Sequence, residues 1–212
     1  MQQAQPYKRK RLLLALDLIE RAAVAVFFGA MAWSFFRSWQ EGGSIVSLIL
    51  LLSESSVVVF VLIRRSTSNV SVRPTDWLVA LLGTTAPLLA RPTGGEALAP
   101  LFFCVPLMLA GLALQISAKL TLSRSFGVVA ANRGVKMSGP YRLVRHPMYA
   151  GYLMTQVAFL LINPSAWNMA VYGFAFAFQI SRILAEERVL GHDPSYRAFT
   201  TTVPYRLAPG IF

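Results

Sequence analysis

The sequence predicts an all-α integral membrane protein with about four transmembrane helices followed by a C-terminal helical hairpin. Hydrophobic residues make up 55% of the 212 positions and charged residues only 14%, whereas soluble domains carry about 25% charged residues. Apolar runs alternate with short basic connectors, and a span in lipid must satisfy its own backbone hydrogen bonds as a helix. These spans leave no length for a separate soluble domain, so we expect one compact membrane domain.

Four apolar segments form the predicted N-terminal transmembrane region, residues 1–117. They are 18–36, 44–63, 76–91 and 98–117. Crossing the hydrocarbon takes about 20 helical residues, and only segment 76–91 is short, so it would use Trp77 as an interfacial anchor. Glu54 lies in the middle of the second segment, where an ionisable group is costly. Its carboxyl is either functional or a protonated group hydrogen-bonded to a neighbouring helix.

The basic residues predict the orientation of these spans. The formal net charge is +11, but the charges lie at the ends of apolar segments rather than on one amphipathic face. This placement argues against a nucleic-acid partner and favours membrane lipids. With a cytoplasmic N-terminus, only Arg37 and Arg91 fall on the outer side of the four spans, as the positive-inside rule requires. We therefore expect both termini in the cytoplasm, and the short basic connectors are typical of a prokaryotic inner membrane.

The sequence offers little for a metal site, a disulfide or a cleaved signal peptide. Cys104 is the only cysteine, and the chain has two histidines, so we expect no metal site. A signal peptide needs an uninterrupted apolar core, whereas Asp17, Glu20 and Arg21 interrupt the first apolar stretch. The basic residues 8–11 are therefore expected to form a cytoplasmic tail that leads into a retained first helix.

Residues 118–212 form the predicted catalytic region. A basic connector leads into two apolar stretches, 148–163 and 165–183, which are joined by Asn163-Pro164-Ser165. A proline cannot continue a helix, and so short a joint makes the two stretches antiparallel neighbours. The first stretch would reach about 24 Å as a helix. We expect a tight hairpin that returns the polar end of the chain to the cytoplasmic side.

Residues 138–151 combine a turn, a basic strip and a helix start. Gly139-Pro140 favours a tight turn, and Pro147 suits the first turn of a helix. His146 would then lie at the helix entrance beside free backbone N–H groups. Together with the flanking Arg142 and Arg145, such an entrance suits a carboxylate or a phosphate.

Two tyrosines complete this segment and favour a binding site. Tyr141 and Tyr149 would offer ring faces to an adenine or to a sulfonium cation. The arginines alone would be explained by contacts with anionic headgroups. That explanation does not account for a histidine and two tyrosines placed around two proline-containing turns.

A second group of polar residues lies at the end of the hairpin. Arg182 and Glu186 are four residues apart and share one helix face, and Glu187 follows directly. The pair is either an ordinary intrahelical ion pair or a clamp for the polar end of an apolar acceptor. The tail that follows, 193–209, is rich in tyrosine and proline, and we expect it to be a packed lid rather than a disordered end.

The two groups together resemble the isoprenylcysteine carboxyl methyltransferase family of membrane enzymes. Its hallmark is a G-P/V-Y-x-x-x-R-H-P-x-Y segment, a helical hairpin, R-x-x-x-E-E and a Y-x-x-Y/F tail followed by proline. The matching residues are Gly139-Pro140-Tyr141, Arg145-His146-Pro147-Met148-Tyr149, Arg182, Glu186-Glu187, Tyr196, Phe199 and Pro204. The resemblance covers about 115–209, and the combined pattern is specific.

The resemblance implies S-adenosylmethionine as the methyl donor, held in a cytoplasm-facing pocket of the C-terminal region. By this analogy Arg182 and Glu186 act on the acceptor beside the transferred methyl, and the acceptor's hydrocarbon enters sideways from the bilayer. The residues implied in cofactor binding are Tyr141, His146, Pro147, Met148 and Tyr149, together with Arg133, Gly134, Val135 and Lys136, which contribute largely through their backbone.

Several acceptors and functions remain open at this point. A lipophilic carboxylate is the expected acceptor, and a lipid amine is the neighbouring possibility. Residues 123–130 differ from the Asn/His-containing stretch of eukaryotic members, so a prenylated cysteine is not specified. Two different classes of protein also fit the pattern, namely a membrane NADPH-dependent sterol-type reductase and a non-catalytic membrane partner.

Overall fold

The computed structural model describes residues 4–42, 55–67, 69–91 and 96–212. In these ranges the chain is helical and forms no β-strand beyond one isolated bridge between Val70 and Ala131. The helices are α1 (Ala4–Gly42), α2 (55–63), α3 (Pro74–Thr85), α4 (Leu101–Leu122), α5 (Pro147–Ile162), α6 (Ala166–Leu190) and α7 (Pro194–Thr202). The prediction of an all-helical protein is confirmed for these ranges.

One helix of the described ranges is long and apolar enough to cross a membrane. It is α4 with its 3₁₀ continuation, Leu101–Ser125, and α5 is a shorter apolar helix. The predicted span 76–91 is wrong as a single helix, because α3 ends at Thr85 and passes into the 3₁₀ turn Ala86–Leu89. Twelve residues of α-helix reach only about 18 Å. The total of four spans stays a prediction.

The start of the chain also differs from the prediction. The backbone is helical from Ala4, so the basic residues 8–11 belong to α1 and do not form a tail before it. Most of the predicted segment 44–63, with Glu54, lies outside the described residues, and only α2 represents it.

The chain divides into two compact units. The first comprises the described residues of Met1–Val72 together with Leu122–Gly134. Inside it, Arg64 bonds to Asp17 and Glu20 of α1, each at 2.8 Å, and Arg133 Nη2 lies 3.2 Å from Glu20 Oε2. The acidic residues that interrupt the first apolar stretch are therefore buried partners of arginines, as buried charges require.

Glu20 also holds the backbone of the 122–134 segment. Its Oε1 accepts hydrogen bonds from the backbone N–H groups of Val128 and Val129 at 2.9 and 3.0 Å. The Glu20 carboxylate therefore binds both the Arg133 side chain and the backbone of the segment that precedes Arg133.

The second unit comprises Arg73–Thr121 and Val135–Phe212. Its helices α4 and α5 cross where two glycines meet. A Cβ on Gly111 would lie 2.8 Å from the carbonyl oxygen of Gly151, and one on Gly151 would lie 2.6 Å from that of Gly111. Small residues that allow such close backbone approach are typical of helix contacts in membranes.

The α5–α6 hairpin is closed at its far end by a fully buried asparagine. Asn168 Nδ2 donates to the carbonyl oxygens of Arg91 and Asn163 at 2.8 and 2.9 Å, and its Oδ1 accepts from the N–H of Arg91. Ser165 caps α6 by accepting from the N–H of Asn168. Helix α6 continues to Leu190, so Arg182, Glu186 and Glu187 all lie within it.

Candidate active site

Tyr149 links the two groups of residues that the sequence singles out. Its hydroxyl donates a short hydrogen bond to Glu186 Oε1. The guanidinium carbon of Arg182 lies 5.2 Å from the centroid of the Tyr149 ring, in the range of a cation–π contact. The first turn of α5 and the last turns of α6 therefore meet at this ring, and one of its faces is covered by Arg182 rather than left open.

Helix α3 supplies the surface on which Arg182 rests. Arg182 is only 8% exposed, and its Nη1 donates to the hydroxyl of Thr84 at 3.3 Å. A Cβ on Gly83 would lie 2.9 Å from Arg182 Cδ. The stem of the arginine occupies the space that a larger residue at Gly83 would fill.

His146 lies between two carboxylates. It is the residue that precedes α5, and Pro147 opens the helix as predicted. His146 Nε2 lies 3.2 Å from Glu187 Oε1, and Nδ1 lies 3.8 Å from Glu186 Oε2. Both ring nitrogens therefore face acidic groups at the end of α6.

Glu187 is the centre of a group that we call the Glu187 cluster: Glu187, Arg145, His146, Tyr196 and Arg206. Arg145 Nη1 lies 2.9 Å and Arg206 Nε 2.7 Å from the carboxylate, and the Tyr196 hydroxyl donates to it at 3.3 Å. Burial alone would raise the pKa of Glu187, but the hydrogen bonds from His146 and Arg206 and the charge of Arg145 outweigh it and lower the pKa to about 2. Glu187 is therefore an ionised anchor.

The tail packs against the residues before α5, as the prediction of a packed lid requires. The backbone N–H groups of Arg145 and His146 donate to the carbonyl oxygens of Tyr205 and Arg206, both at 2.9 Å. Arg145 Nη2 also donates to the carbonyl oxygen of Pro204. The expectation of free N–H groups beside His146 is thus wrong for these two residues, because the tail already satisfies them.

Tyr141 lies in the 3₁₀ turn Gly139–Arg142 and is buried. Burial raises the pKa of the Tyr141 hydroxyl, and the negative charge of Glu186 raises this pKa further. Gly139 adopts a φ of 56°, which favours glycine. The turn thus brings Tyr141 within the electrostatic reach of Glu186.

The remaining predicted cofactor residues have other surroundings. Pro147 and Met148 are buried at the start of α5. Val135 and Lys136 are partly buried in the second unit, whereas Arg133 and Gly134 belong to the first. The guanidinium of Arg133 is engaged by Asp17 and Glu20. A cofactor role for these residues stays a prediction.

A groove of about 480 Å³ runs between the 3₁₀ turn and α7. Its lining residues are Met137, Arg142, Ser195, Ala198, Phe199, Thr202 and Val203. The ring of Phe199 lies 5.9 Å from the ring of Tyr196, which belongs to the Glu187 cluster. The wall of the groove is therefore in contact with that cluster.

Sequence reasoning missed several residues that position the site. Thr84 lies 98 positions before Arg182, and neither it nor its neighbour Gly83 belongs to a motif. Arg206 comes after Pro204, the last residue of the family pattern, and only its closeness in sequence to Pro204 and Tyr205 hints at a role. The charge of Arg145 is evident from the sequence, but its partner Glu187 is not.

The structure is that of a helical protein in which polar residues cluster at the start of α5 and the end of α6. The family comparison agrees with a protein of this class. Residues 104–192 match the model of the Isoprenylcysteine carboxyl methyltransferase (ICMT) family. The resemblance predicted from the motifs is thereby confirmed over this segment, which contains Tyr141, His146, Tyr149, Arg182 and Glu186. A search of curated proteins finds no significant match. The family match supports methyltransferase activity and membrane association.

Proposed function

We propose that this protein transfers the methyl group of S-adenosylmethionine to a lipophilic acceptor, with a carboxylate as the accepting group. The observation that carries the proposal is the meeting of Arg182 and Glu186 at Tyr149, beside His146. These residues lie within the segment that matches the methyltransferase family. The site thus combines a buried cation, a carboxylate and aromatic surface.

The charges of the site suit this cofactor. S-adenosylmethionine carries positive charge on its sulfonium and amino groups and supplies a methyl group already activated for transfer. The Glu186 side chain is 23% exposed, whereas Glu187 is 12% exposed and held by two arginines. Glu186 is therefore the accessible acid for a cation. The residues of the second unit proposed to hold the cofactor are Tyr141, His146, Pro147, Met148 and Tyr149, with the backbone of Val135 and Lys136.

Arg182 is proposed to orient the acceptor. A guanidinium binds a carboxylate through two parallel hydrogen bonds, and Tyr149 and Thr84 hold this guanidinium in place. A carboxylate is already a nucleophile, so the protein needs to align the reactants and exclude water, and proximity supplies most of the rate. The buried surroundings of Arg182 and Tyr149 serve this exclusion.

The apolar surface of α4 supports a lipophilic acceptor. Its membrane-length segment keeps only 22% of its most apolar window buried. An open groove of about 620 Å³ follows one face of this helix and is lined by Ala113, Ile116, Ser117, Leu120 and Thr121. A hydrocarbon chain that approaches from the bilayer would meet this surface.

An amine acceptor is the second candidate, and the position of Glu186 favours it. A carboxylate with an exposed edge would take the proton that an amine must lose on methylation. An NADPH-dependent reductase has no support in the matched family. The two methyl acceptors differ in the product, because an ester is cleaved by base and a methylated amine is not.

The test is calorimetry with S-adenosylhomocysteine together with transfer of labelled methyl to lipid extracts. We expect His146→Ala to weaken binding, and Arg182→Ala to preserve binding while abolishing transfer. Ser181→Ala is the matched control, because its exposed hydroxyl donates to the carbonyl oxygen of Ala177 within α6. Unimpaired binding by both site variants, or binding of NADPH without S-adenosylhomocysteine, would overturn the proposal.

A further inference from the structure

The Glu187 cluster contacts the His146 ring and constrains the position of its proton. An ionised carboxylate has no proton to donate and only accepts hydrogen bonds. Because His146 Nε2 lies 3.2 Å from Glu187 Oε1, a neutral ring that donates to this carboxylate carries its proton on Nε2. Nδ1 is then the unprotonated nitrogen, and it faces Glu186.

Arg206 contacts Glu187 from the side opposite His146. Its Nε lies 2.7 Å from Glu187 Oε2, the oxygen opposite the one that His146 contacts. The Arg206 carbonyl oxygen also accepts the hydrogen bond from the backbone N–H of His146. One tail residue therefore contacts both the anchor of the imidazole and the backbone that carries it.

Arg206 is itself held firmly within the tail. Its guanidinium carbon lies 4.9 Å from the centroid of the Phe212 ring. The backbone N–H groups of Arg206 and Leu207 both donate to the carbonyl oxygen of Phe212, at 2.7 and 2.8 Å. The tail thus forms a closed turn that presents Arg206 to Glu187.

We propose that Arg206 is a positioning residue that, through Glu187, keeps the proton of His146 on Nε2 and directs Nδ1 toward Glu186. The effect of this geometry on methyl transfer rests on the function proposed above, whereas the geometry itself does not. The Nδ1 lone pair and the Glu186 carboxylate, 3.8 Å apart, are both acceptors and repel each other unless a cation or a donor lies beside them. A cationic group such as the sulfonium of the proposed cofactor would relieve this repulsion.

The tautomer of His146 tests the proposal directly. The full chain in detergent micelles, labelled with ¹⁵N-histidine, gives correlation spectra that separate the two neutral tautomers, and a pH series ensures that the neutral ring is observed. The chain has two histidines, and His192→Gln identifies their signals. We expect the Nε2-protonated form in the wild type and in Arg206→Lys, and a mixture of tautomers in Arg206→Ala.

A binding measurement connects the tautomer to the site. We expect Arg206→Ala to weaken S-adenosylhomocysteine about tenfold, the loss typical of one charge-assisted hydrogen bond, and Arg206→Lys to restore most of it. Arg197→Ala is the matched control, because this exposed arginine donates to the carbonyl oxygen of Gly191. If Arg206→Ala does not fold, Arg206→Met, which fills a similar space and has neither a donor nor a charge, decides.

The possible results separate the two proposals. An unchanged Nε2 tautomer and unchanged binding in Arg206→Ala or Arg206→Met would overturn the positioning role and leave the proposed function intact. A tautomer that shifts on substitution, in a protein that never binds S-adenosylhomocysteine, would support the positioning role and overturn the proposed function.

Discussion

Glu186 and Glu187 are neighbours on α6 but have opposite surroundings. Glu187 is held by two arginines, a histidine and a tyrosine, whereas Glu186 accepts a hydrogen bond from Tyr149 and is the more exposed of the two. Two adjacent acids of the same type are thus divided between an anchoring role and an accessible one. The division arises because successive helical residues point about 100° apart.

The ring and the hydroxyl of Tyr149 have separable roles. Tyr149→Phe keeps the ring under Arg182 but removes the hydrogen bond to Glu186, and we expect kcat/KM for methyl transfer to fall about tenfold. Tyr149→Leu also removes the support of Arg182 and should cost more. Labelled methyl transfer and S-adenosylhomocysteine binding are the measurements. Equal rates for both variants would contradict this assignment.

Gly83→Ala tests the packing of Arg182 on α3. The added methyl group would lie 2.9 Å from Arg182 Cδ, so the guanidinium must shift. We expect kcat to fall about a hundredfold, because a small misplacement of a positioning group has this scale of effect, while S-adenosylhomocysteine binding is retained. Gly173→Ala is the matched control, since no neighbouring atom lies within 4 Å of its added Cβ. A fully active Gly83→Ala would refute the close packing.

Asn168→Ala tests the hydrogen bonds by which Asn168 closes the far end of the α5–α6 hairpin. It removes three hydrogen bonds from a fully buried side chain and leaves the polar backbone of Arg91 unsatisfied. We expect a loss of about 2–3 kcal/mol of unfolding free energy. Thermal unfolding in detergent measures it, with the exposed Met169→Ala as control. Equal melting temperatures for the two variants would argue against a stabilising role for these hydrogen bonds.

The acid dependence of stability tests the Glu187 cluster. The pKa of Glu187 falls from 4.5 to about 2 on folding, so its contribution is present above pH 4.5 and is lost as the pH falls through about 2. After allowance for partial exposure, the contribution is roughly 1–2 kcal/mol. Glu187→Gln should therefore be less stable than the wild type at neutral pH and similar to it near pH 2.

A matched measurement excludes a general effect of charge. Glu96→Gln removes an exposed acid and should leave the stability profile of the wild type unchanged over the same pH range. A difference between wild type and Glu187→Gln that persists below pH 2 would have a cause other than the ionisation of this carboxyl.

Arg133→Ala tests the buried ion cluster of the first unit. It leaves the Glu20 carboxylate with Arg64 and removes one of its two arginine partners. Removal of one partner from a buried pair is strongly destabilising, and we expect about 3 kcal/mol. Chemical unfolding measures the loss, with the exposed Arg37→Ala of α1 as control. An unfolding free energy of Arg133→Ala equal to that of the control would argue against a stabilising role for this ion cluster.

The sequence predicts the helices of the second unit well where a strong local signal exists. Pro147 and the proline-containing joint before Ser165 define the start of α5 and the α5–α6 connection. The motif residues Tyr149, Arg182 and Glu186 come together as their shared match to one family implies. Hydropathy alone fails for segment 76–91, because Pro87 follows α3 and ends the regular helix within an apolar run.

The supporting contacts could not be predicted in the same way. Gly83 and Arg206 reach the site from distant parts of the chain, and no periodicity or spacing relates them to it. The tail carbonyls of Tyr205 and Arg206 occupy N–H groups that a helix entrance alone would leave open. Such partners depend on how distant segments pack, which a single sequence does not encode locally.

The return of the tail onto His146 has a genetic consequence. A nonsense mutation just after Val203 would leave α1 to α7 intact and remove Arg206 together with the two carbonyl groups that bond to the backbone before α5. The truncated protein would keep its apolar helices and lose the tail contacts that position His146. Alleles that lack the residues from Pro204 onward are therefore expected to behave as loss-of-function alleles.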